Sequence, residues 1–145
     1  MNITLNLRVV HGKCQRPCSF CFFPYVNPDY SDMMTLEGVR KFISLNDADK
    51  HLFDISIIPL GEALLNPEIF DIIEALHDAG YTLNYIATNL AVDLLTETQI
   101  NTLCLFNMIG VNYATRNIDP SLVKKTYNNV LALQKALGDR APDSL

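Results

Sequence analysis

The sequence predicts an α/β fold in which about four strand-helix units form a parallel sheet. Four strand candidates alternate with four helix candidates along the 145 residues. The segments between successive strands are too long for hairpins, which predicts parallel strands with right-handed crossovers. The candidate strand at residues 53–60 is a nearly continuous apolar run, typical of a strand that is covered on both faces.

The first unit consists of a strand, a long loop and a helix. Residues 3–10 alternate apolar and polar side chains and end at His11 and Gly12, which predicts a strand followed by a loop. Apolar side chains recur at helical spacing over residues 35–45, and Thr35 is the candidate N-cap.

The second unit joins the strand at residues 53–60 to a helix with a clear start and end. Asn66 is the predicted N-cap and Pro67 the first helical residue, while Gly80 predicts the end. The apolar face of this helix comprises Ile69, Phe70, Ile73 and Leu76.

Similar sequence patterns predict the third strand-helix unit and the fourth strand. Residues 81–87 form the third candidate strand. The capping-box pattern of Thr96 and Gln99 then opens a helix that runs through Leu105. Residues 108–114 form the fourth candidate strand.

The final helix and the tail after it complete the expected domain. Pro120 predicts the start of this helix and Gly138 its end. Its expected buried side consists of Val123, Tyr127, Val130, Leu131 and Leu137. One domain is therefore expected over residues 1–138, with a frayed tail at residues 139–145.

Composition indicates one soluble globular domain and argues against nucleic acid and membrane partners. Hydrophobic residues make up 49% of the chain, and the formal charge is −5. This acidic balance argues against nucleic acid as a partner, which normally needs a basic surface. Neither a membrane-spanning run nor a secretory leader is present in the sequence, so we expect a cytoplasmic protein with no membrane partner.

Three of the four cysteines are clustered in the loop after the first strand. The spacing Cys14-x-x-x-Cys18-x-x-Cys21 places three thiols in one short segment. Cysteines of a cytoplasmic protein stay reduced, so a shared metal is the interpretation that this cluster favours. Three thiolates without a nearby fourth ligand fit an iron-sulfur cluster with one open iron better than a closed zinc site. A zinc site completed by His11 or Cys104 stays an alternative.

The same spacing, with the aromatic Phe20 before the last cysteine, resembles the signature of the radical S-adenosylmethionine superfamily. The resemblance implies that Cys14, Cys18 and Cys21 hold a [4Fe-4S] cluster, whose open iron binds the amino and carboxylate groups of S-adenosylmethionine. It also implies reductive cleavage of that cofactor to a 5′-deoxyadenosyl radical, which abstracts a hydrogen atom from a substrate. An external electron donor is then a required partner, and the substrate is unknown.

A second part of the resemblance lies at the end of the second strand. The segment around Gly61 and Glu62 is similar to the family's Gly-Gly-Glu-Pro sequence, with Leu60 in place of the first glycine and Ala63 in place of the proline. The resemblance implies that Glu62 accepts a hydrogen bond from the methionyl ammonium. Such a charge-assisted bond is about twice as strong as a neutral one.

The remaining cofactor contacts come from the resemblance alone. Thr88 and Asn89 are similar to the start of the family's Thr-Asn-Gly sequence, with Leu90 in place of the glycine. Asn112 stands where relatives carry a serine that contacts the methionyl carboxylate, and Phe20 is implied to lie beside the adenine. The chain resembles four units of the family's six-unit partial TIM barrel, so an unpaired last strand is expected.

Two alternative functions stay open. One is a small activating enzyme for a glycyl-radical enzyme, which acts on a partner protein. The other is a non-catalytic, truncated module that binds an iron-sulfur cluster or zinc. Outside the cluster, Arg16, Arg116, His51 and His77 are interpreted as solvated surface residues, and Cys104 as a small buried apolar residue.

Overall fold

The computed structural model describes residues 2–18, 21, 32–113 and 118–138. The strands are Ile3–Leu7 (β1), Val10–His11 (β2), Asp32–Met33 (β3), Phe53–Ile57 (β4), Thr82–Thr88 (β5) and Met108–Val111 (β6). The helices are Leu36–Leu45 (α1), Ile69–Asp78 (α2), Glu97–Leu103 (α3) and Pro120–Gly138 (α4). The predicted tail at residues 139–145 lies outside the described residues.

Four of these strands form a parallel sheet flanked by helices, which confirms the predicted α/β class. The order in the sheet is β1-β4-β5-β6, and every neighbouring pair is parallel. The two remaining strands, β2 and β3, form a short antiparallel pair. Because the order in the sheet follows the order in the chain, the carboxyl ends of β4, β5 and β6 lie side by side. Within the described residues, β1 and β6 are the two edges of this sheet.

The first predicted strand is shorter than expected because the chain leaves the sheet after Leu7. Val9 and Val10 are fully buried, and the Val9 carbonyl accepts hydrogen bonds from the Asn66 side chain at 2.8 Å and from the Met34 backbone at 3.1 Å. Val10 and His11 then pair with β3, and His11 also forms an isolated parallel bridge with Leu60 beyond the end of β4. Local alternation of apolar residues cannot predict this change, because the competing hydrogen bonds come from distant segments.

The predicted helix starts are confirmed at two positions and wrong at a third. Thr35 caps α1 by accepting from the Gly38 backbone, and Thr96 and Gln99 form the predicted capping box of α3. Asn66 does not cap α2, which begins at Ile69. Its Oδ1 accepts from the Glu68 backbone at 2.9 Å in the turn before the helix, its Nδ2 donates to two carbonyls from earlier parts of the chain, and the residue is 1% exposed.

The predicted buried side of α4 is wrong at three of its five residues, while Val130 packs against the core as predicted. Tyr127, Leu131 and Leu137 are 51%, 45% and 49% exposed. The side that packs inward contains Thr126 and Asn129, which are fully buried, together with Leu133. These two polar side chains bond to the segment after β5, so hydrogen bonding rather than the apolar stripe sets the rotation of the helix.

The core lies between the sheet and the helices. Isoleucine is the most frequent of its fully buried side chains, and the isoleucines come from β4, β5 and α2: Ile55, Ile57, Ile72, Ile73 and Ile86. These β-branched residues suit central strands of a parallel sheet. Across the described ranges, none of the helices combines the length and the apolar composition of a membrane span.

Candidate functional site

A cavity of about 440 Å³ opens at the carboxyl ends of β4, β5 and β6. Its lining includes every predicted site residue that the structure describes: Cys14, Cys18, Cys21, Glu62, Thr88, Asn89 and Asn112. Phe20 lies outside the described residues. In open parallel sheets, ligands bind in the crevice at this end of the strands. The fold thus brings residues from four separate segments to the position where a ligand is expected.

The three clustered cysteines are free thiols at this cavity. Cys14 and Cys18 are half-buried and Cys21 is exposed, with the Cys21 backbone donating to the Cys18 carbonyl at 3.0 Å. The Cys14 sulfur accepts from the Arg16 backbone at 3.5 Å and from Asn89 Nδ2 at 3.7 Å. Considering the described residues alone, no group of three His, Cys, Asp or Glu side chains is arranged to hold a metal ion.

The cysteine loop packs directly on the segment after β4. The Gly12 backbone donates to the Leu60 carbonyl at 2.8 Å, and the Glu62 backbone donates to the Lys13 carbonyl at 2.9 Å. Gly61 lies between these bonds, and a Cβ added there would overlap the Lys13 carbonyl oxygen. Only glycine therefore allows the two backbones to approach this closely.

Glu62 is a buried carboxylate, only 1% exposed, that joins β4 to β5. Its Oε1 accepts from Thr88 Oγ1 at 2.5 Å and from the Leu64 backbone at 3.1 Å, and its Oε2 accepts from the Asn89 backbone at 2.6 Å. Burial raises the pKa of this carboxyl above its usual value, although the three hydrogen bonds and the Arg16 charge oppose the shift. The described donors occupy three of about four acceptor sites on a carboxylate, so one more donor from a ligand can be accepted.

The segment after β5 is held in one conformation by its own side chains. Thr88 Oγ1 accepts from the Leu90 backbone at 3.0 Å, and Asn89 Oδ1 accepts from the Ala91 backbone at 2.8 Å. Leu90 has a φ of 53°, in the left-handed region that glycine adopts with least strain. A leucine thus stands at a position whose backbone conformation favours glycine.

Electrostatics at the cavity disfavour thiolates when no cation is present. Burial is the main reason that the pKa of the Cys14 thiol is raised, and the negative charges of Glu62 and the other two cysteines add to the effect. Burial also raises the pKa of Cys18, against which the Arg16 guanidinium acts. Metal binding must therefore displace protons from these thiols.

Arg16 was predicted to be a surface charge, and this prediction is wrong. It is 5% exposed and donates to the Asn112 carbonyl at 3.0 Å and the Leu122 carbonyl at 3.3 Å. Thr126 and Asn129 were not singled out from the sequence at all. Polar residues within a helix usually face solvent, so nothing in the sequence marked these two as buried. Arg16 stands between the candidate ligands Cys14 and Cys18 in the sequence, and only that position pointed to a role for it.

Two residues were considered as the fourth ligand of a zinc site. Neither His11 nor Cys104 is among the described residues that line the cavity. Cys104 is half-buried at the end of α3 and packs against the hydrophobic core, as predicted. His51 and His77 are exposed, also as predicted, and Arg116 lies outside the described residues.

No protein-family model, curated protein or solved structure matches this chain.

Proposed function

We propose that this protein is a [4Fe-4S]-dependent member of the radical S-adenosylmethionine superfamily. The observation that carries the proposal is the convergence of three closely spaced thiols and a buried carboxylate on one cavity at the carboxyl ends of parallel strands. The sheet order β1-β4-β5-β6 is the order expected for the first four units of the family's partial barrel.

The donor set fits an iron-sulfur cluster by its chemistry. Thiolates are the ligands that such clusters use, and the Cys14 sulfur already accepts two N–H groups from neighbouring residues. Hydrogen bonds to sulfur raise the reduction potential of a cluster by stabilising its added negative charge. Cys14, Cys18 and Cys21 are the residues that would hold the group.

When bound, the cluster supplies one electron to S-adenosylmethionine, whose cleavage gives the 5′-deoxyadenosyl radical for hydrogen abstraction from an unidentified substrate. The electron comes from an external donor.

The chain's own side chains bind and orient the cofactor. Glu62 keeps an acceptor site for the methionyl ammonium, because the donors of Leu64, Thr88 and Asn89 occupy three of its about four acceptor sites. An ammonium near Glu62 also favours the ionised carboxylate, which burial alone disfavours. Asn112 is exposed at the edge of the cavity, where its amide can donate to the methionyl carboxylate.

A non-catalytic metal-binding module is the second candidate. One observation favours it: the Glu62 carboxylate already accepts hydrogen bonds from three donors of the protein. These bonds are sufficient to stabilise a buried carboxylate, so its burial requires no ligand. In such a module the cysteines bind metal, but S-adenosylmethionine has no site.

Anaerobic turnover separates the two candidates. The protein is reconstituted with iron and sulfide, reduced with dithionite and incubated with S-adenosylmethionine, and 5′-deoxyadenosine and methionine are then quantified. The proposed function predicts that both products form, and that a Cys14→Ala, Cys18→Ala, Cys21→Ala variant forms neither. A reconstituted protein that binds iron and forms neither product would support the non-catalytic module instead.

A further inference from the structure

We infer that Arg16 is a positioning residue, which fixes the cysteine loop against α4 and β6 before any metal binds. The inference rests on the proposed function, since a prearranged loop serves the protein only if the three thiols share a metal. It assigns Arg16 no contact with the cofactor.

The first support is the burial and bonding of the Arg16 side chain. Although it lies in a loop, it is 5% exposed. Nη1 donates to the Asn112 carbonyl at the end of β6, and Nη2 donates to the Leu122 carbonyl and to the Thr126 hydroxyl in α4. A guanidinium can serve three acceptors at once because its donors are fixed in a planar fork.

The second support is a closed ring of hydrogen bonds that begins and ends in the cysteine loop. Thr126 accepts from Arg16 and donates to the Asn89 carbonyl at 2.7 Å. The Asn89 side chain in turn donates to the Cys14 sulfur at 3.7 Å. This ring connects the cysteine loop, α4 and the segment after β5, so the loop cannot move without breaking bonds in the other two.

The third support is the charge of Arg16. An arginine remains positively charged in a protein at any ordinary pH. Arg16 stands between Cys14 and Cys18 in the chain and lines the same cavity as the three cysteines. The same fixed charge next to an anionic cluster would stabilise the cluster's reduced form. Arg16 therefore has two separable effects, one through its hydrogen bonds and one through its charge.

Three variants separate these effects. Arg16→Met removes both the charge and the hydrogen bonds. Arg16→Lys keeps the charge and loses the planar fork. Thr126→Val keeps Arg16 and removes the hydroxyl that continues the ring. Arg40→Gln is the matched control, because Arg40 is an exposed arginine on α1.

The first measurement is hydrogen exchange in the metal-free protein. The reporter amides are those of Gly12 and Asn112, which donate to the Leu60 and Thr88 carbonyls. We expect their exchange to accelerate by about tenfold or more in Arg16→Met, Arg16→Lys and Thr126→Val, because bonds to a charged group are lost or weakened. Exchange in Arg40→Gln should match the unaltered protein.

The second measurement is the midpoint potential of the reconstituted cluster. A residue that only stabilised the fold would leave this potential unchanged. We expect a shift to more negative potential in Arg16→Met, and we expect Arg16→Lys and Thr126→Val to retain the original value.

The outcomes distinguish this inference from the proposed function. Reporter exchange at the control rate in the Arg16 and Thr126 variants would overturn the inference even if the cluster forms. Failure of the unaltered protein to bind iron would overturn the proposed function, while the exchange comparison would still report on Arg16. If Arg16→Met does not fold, Arg16→Lys and Thr126→Val still give the exchange result and decide the inference.

Discussion

The Thr88 hydroxyl donates a hydrogen bond to the Glu62 carboxylate over 2.5 Å, and both side chains are buried at the same cavity. This bond joins the last residue of β5 to the segment after β4. The Asn89 backbone adds a second bond to the same carboxylate at 2.6 Å. A carboxylate fixed by the end of the neighbouring strand is already oriented when a cationic ligand arrives, so little order must be gained on binding.

Replacing Glu62 with glutamine tests its contact with the cofactor. We expect Glu62→Gln to weaken the binding of S-adenosylmethionine to the reconstituted protein about tenfold or more, because a charge-assisted bond to the ammonium is lost. Iron content should stay unchanged, since Glu62 is not a proposed ligand. Isothermal titration under anaerobic conditions measures the affinity, and iron analysis measures the cluster content.

The matched control for this variant is Glu37→Gln, at an exposed carboxylate in the first turn of α1. It should bind S-adenosylmethionine like the unaltered protein. Equal affinity in Glu62→Gln and the control would remove Glu62 from the proposed cofactor site.

The pH dependence of stability tests the electrostatics of the same carboxyl. Because the pKa of Glu62 is raised above its ordinary value of 4.5, the folded metal-free protein holds this proton more tightly than the unfolded chain. Its contribution to stability is therefore full below pH 4.5 and is lost as the pH rises through the raised pKa. Glutamine has no such titration. We expect the stability of the unaltered protein relative to Glu62→Gln to decrease over the interval above pH 4.5 in denaturant unfolding.

A relative stability that instead rises over this interval would mean that the hydrogen bonds and Arg16 outweigh burial and lower the pKa of Glu62. The difference between the two proteins is the useful quantity, because other titrating groups contribute equally to both.

The close contact between the cysteine loop and β4 is tested at Gly61. A methyl group at this position would overlap the Lys13 carbonyl, and backbone atoms cannot rotate away as a flexible side chain can. We expect Gly61→Ala to lower the free energy of unfolding by about 1–3 kcal/mol, the usual range for overpacking. Thermal and denaturant unfolding of the metal-free protein measure the change.

Gly138→Ala is the control for this prediction, since nothing lies within 4 Å of a Cβ added at Gly138. Its unfolding free energy should stay within about 0.5 kcal/mol of the original. Equal stability of the two variants would show that the cysteine loop does not pack against Gly61 as described.

The buried amide of Asn129 offers a test of how α4 is attached. Its side chain accepts from the Leu95 backbone at 2.9 Å and donates to the Leu90 and Val92 carbonyls at 3.0 and 3.2 Å. We expect Asn129→Ala to destabilise the protein by about 3 kcal/mol, because buried backbone groups lose their partner. The neighbouring Asn128 is exposed on the same helix, so Asn128→Ala should change stability by no more than about 0.5 kcal/mol. Equal effects in the two variants would contradict the described packing of α4.

Sequence patterns predicted the features that depend on local chemistry. The parallel sheet follows from apolar runs separated by long connections, and the caps at Thr35 and Thr96 follow from hydroxyl side chains at the start of helical spacing. Spacing alone also singled out the three cysteines, which lie together at the cavity. Each of these features depends on the residues within one short segment or on the apolar character of each segment, so a local sequence pattern is sufficient to predict it.

Features that depend on hydrogen bonds between residues far apart in the sequence were not predicted. Asn66 has the sequence of an N-cap and accepts from the Glu68 backbone, but α2 begins only at Ile69. The Asn66 amide nitrogen donates to the Val9 and Met34 carbonyls, which holds this residue in the turn before the helix. Arg16 is a charged loop residue of the kind that usually lies at the surface, yet two of the groups that accept its hydrogen bonds lie in α4. The apolar stripe of α4 that includes Tyr127 is exposed for a similar reason, because polar partners determine which side packs inward. Such partners cannot be identified before the fold is known.

Electron paramagnetic resonance of the anaerobically reconstituted and reduced protein, with and without S-adenosylmethionine, tests the central claim most directly. The account predicts a [4Fe-4S]⁺ signal that shifts when the cofactor is added, since the cofactor binds the open iron. It also predicts no signal in the variant that lacks Cys14, Cys18 and Cys21. A cluster signal that is identical with and without S-adenosylmethionine, or bound zinc without any cluster, would contradict it.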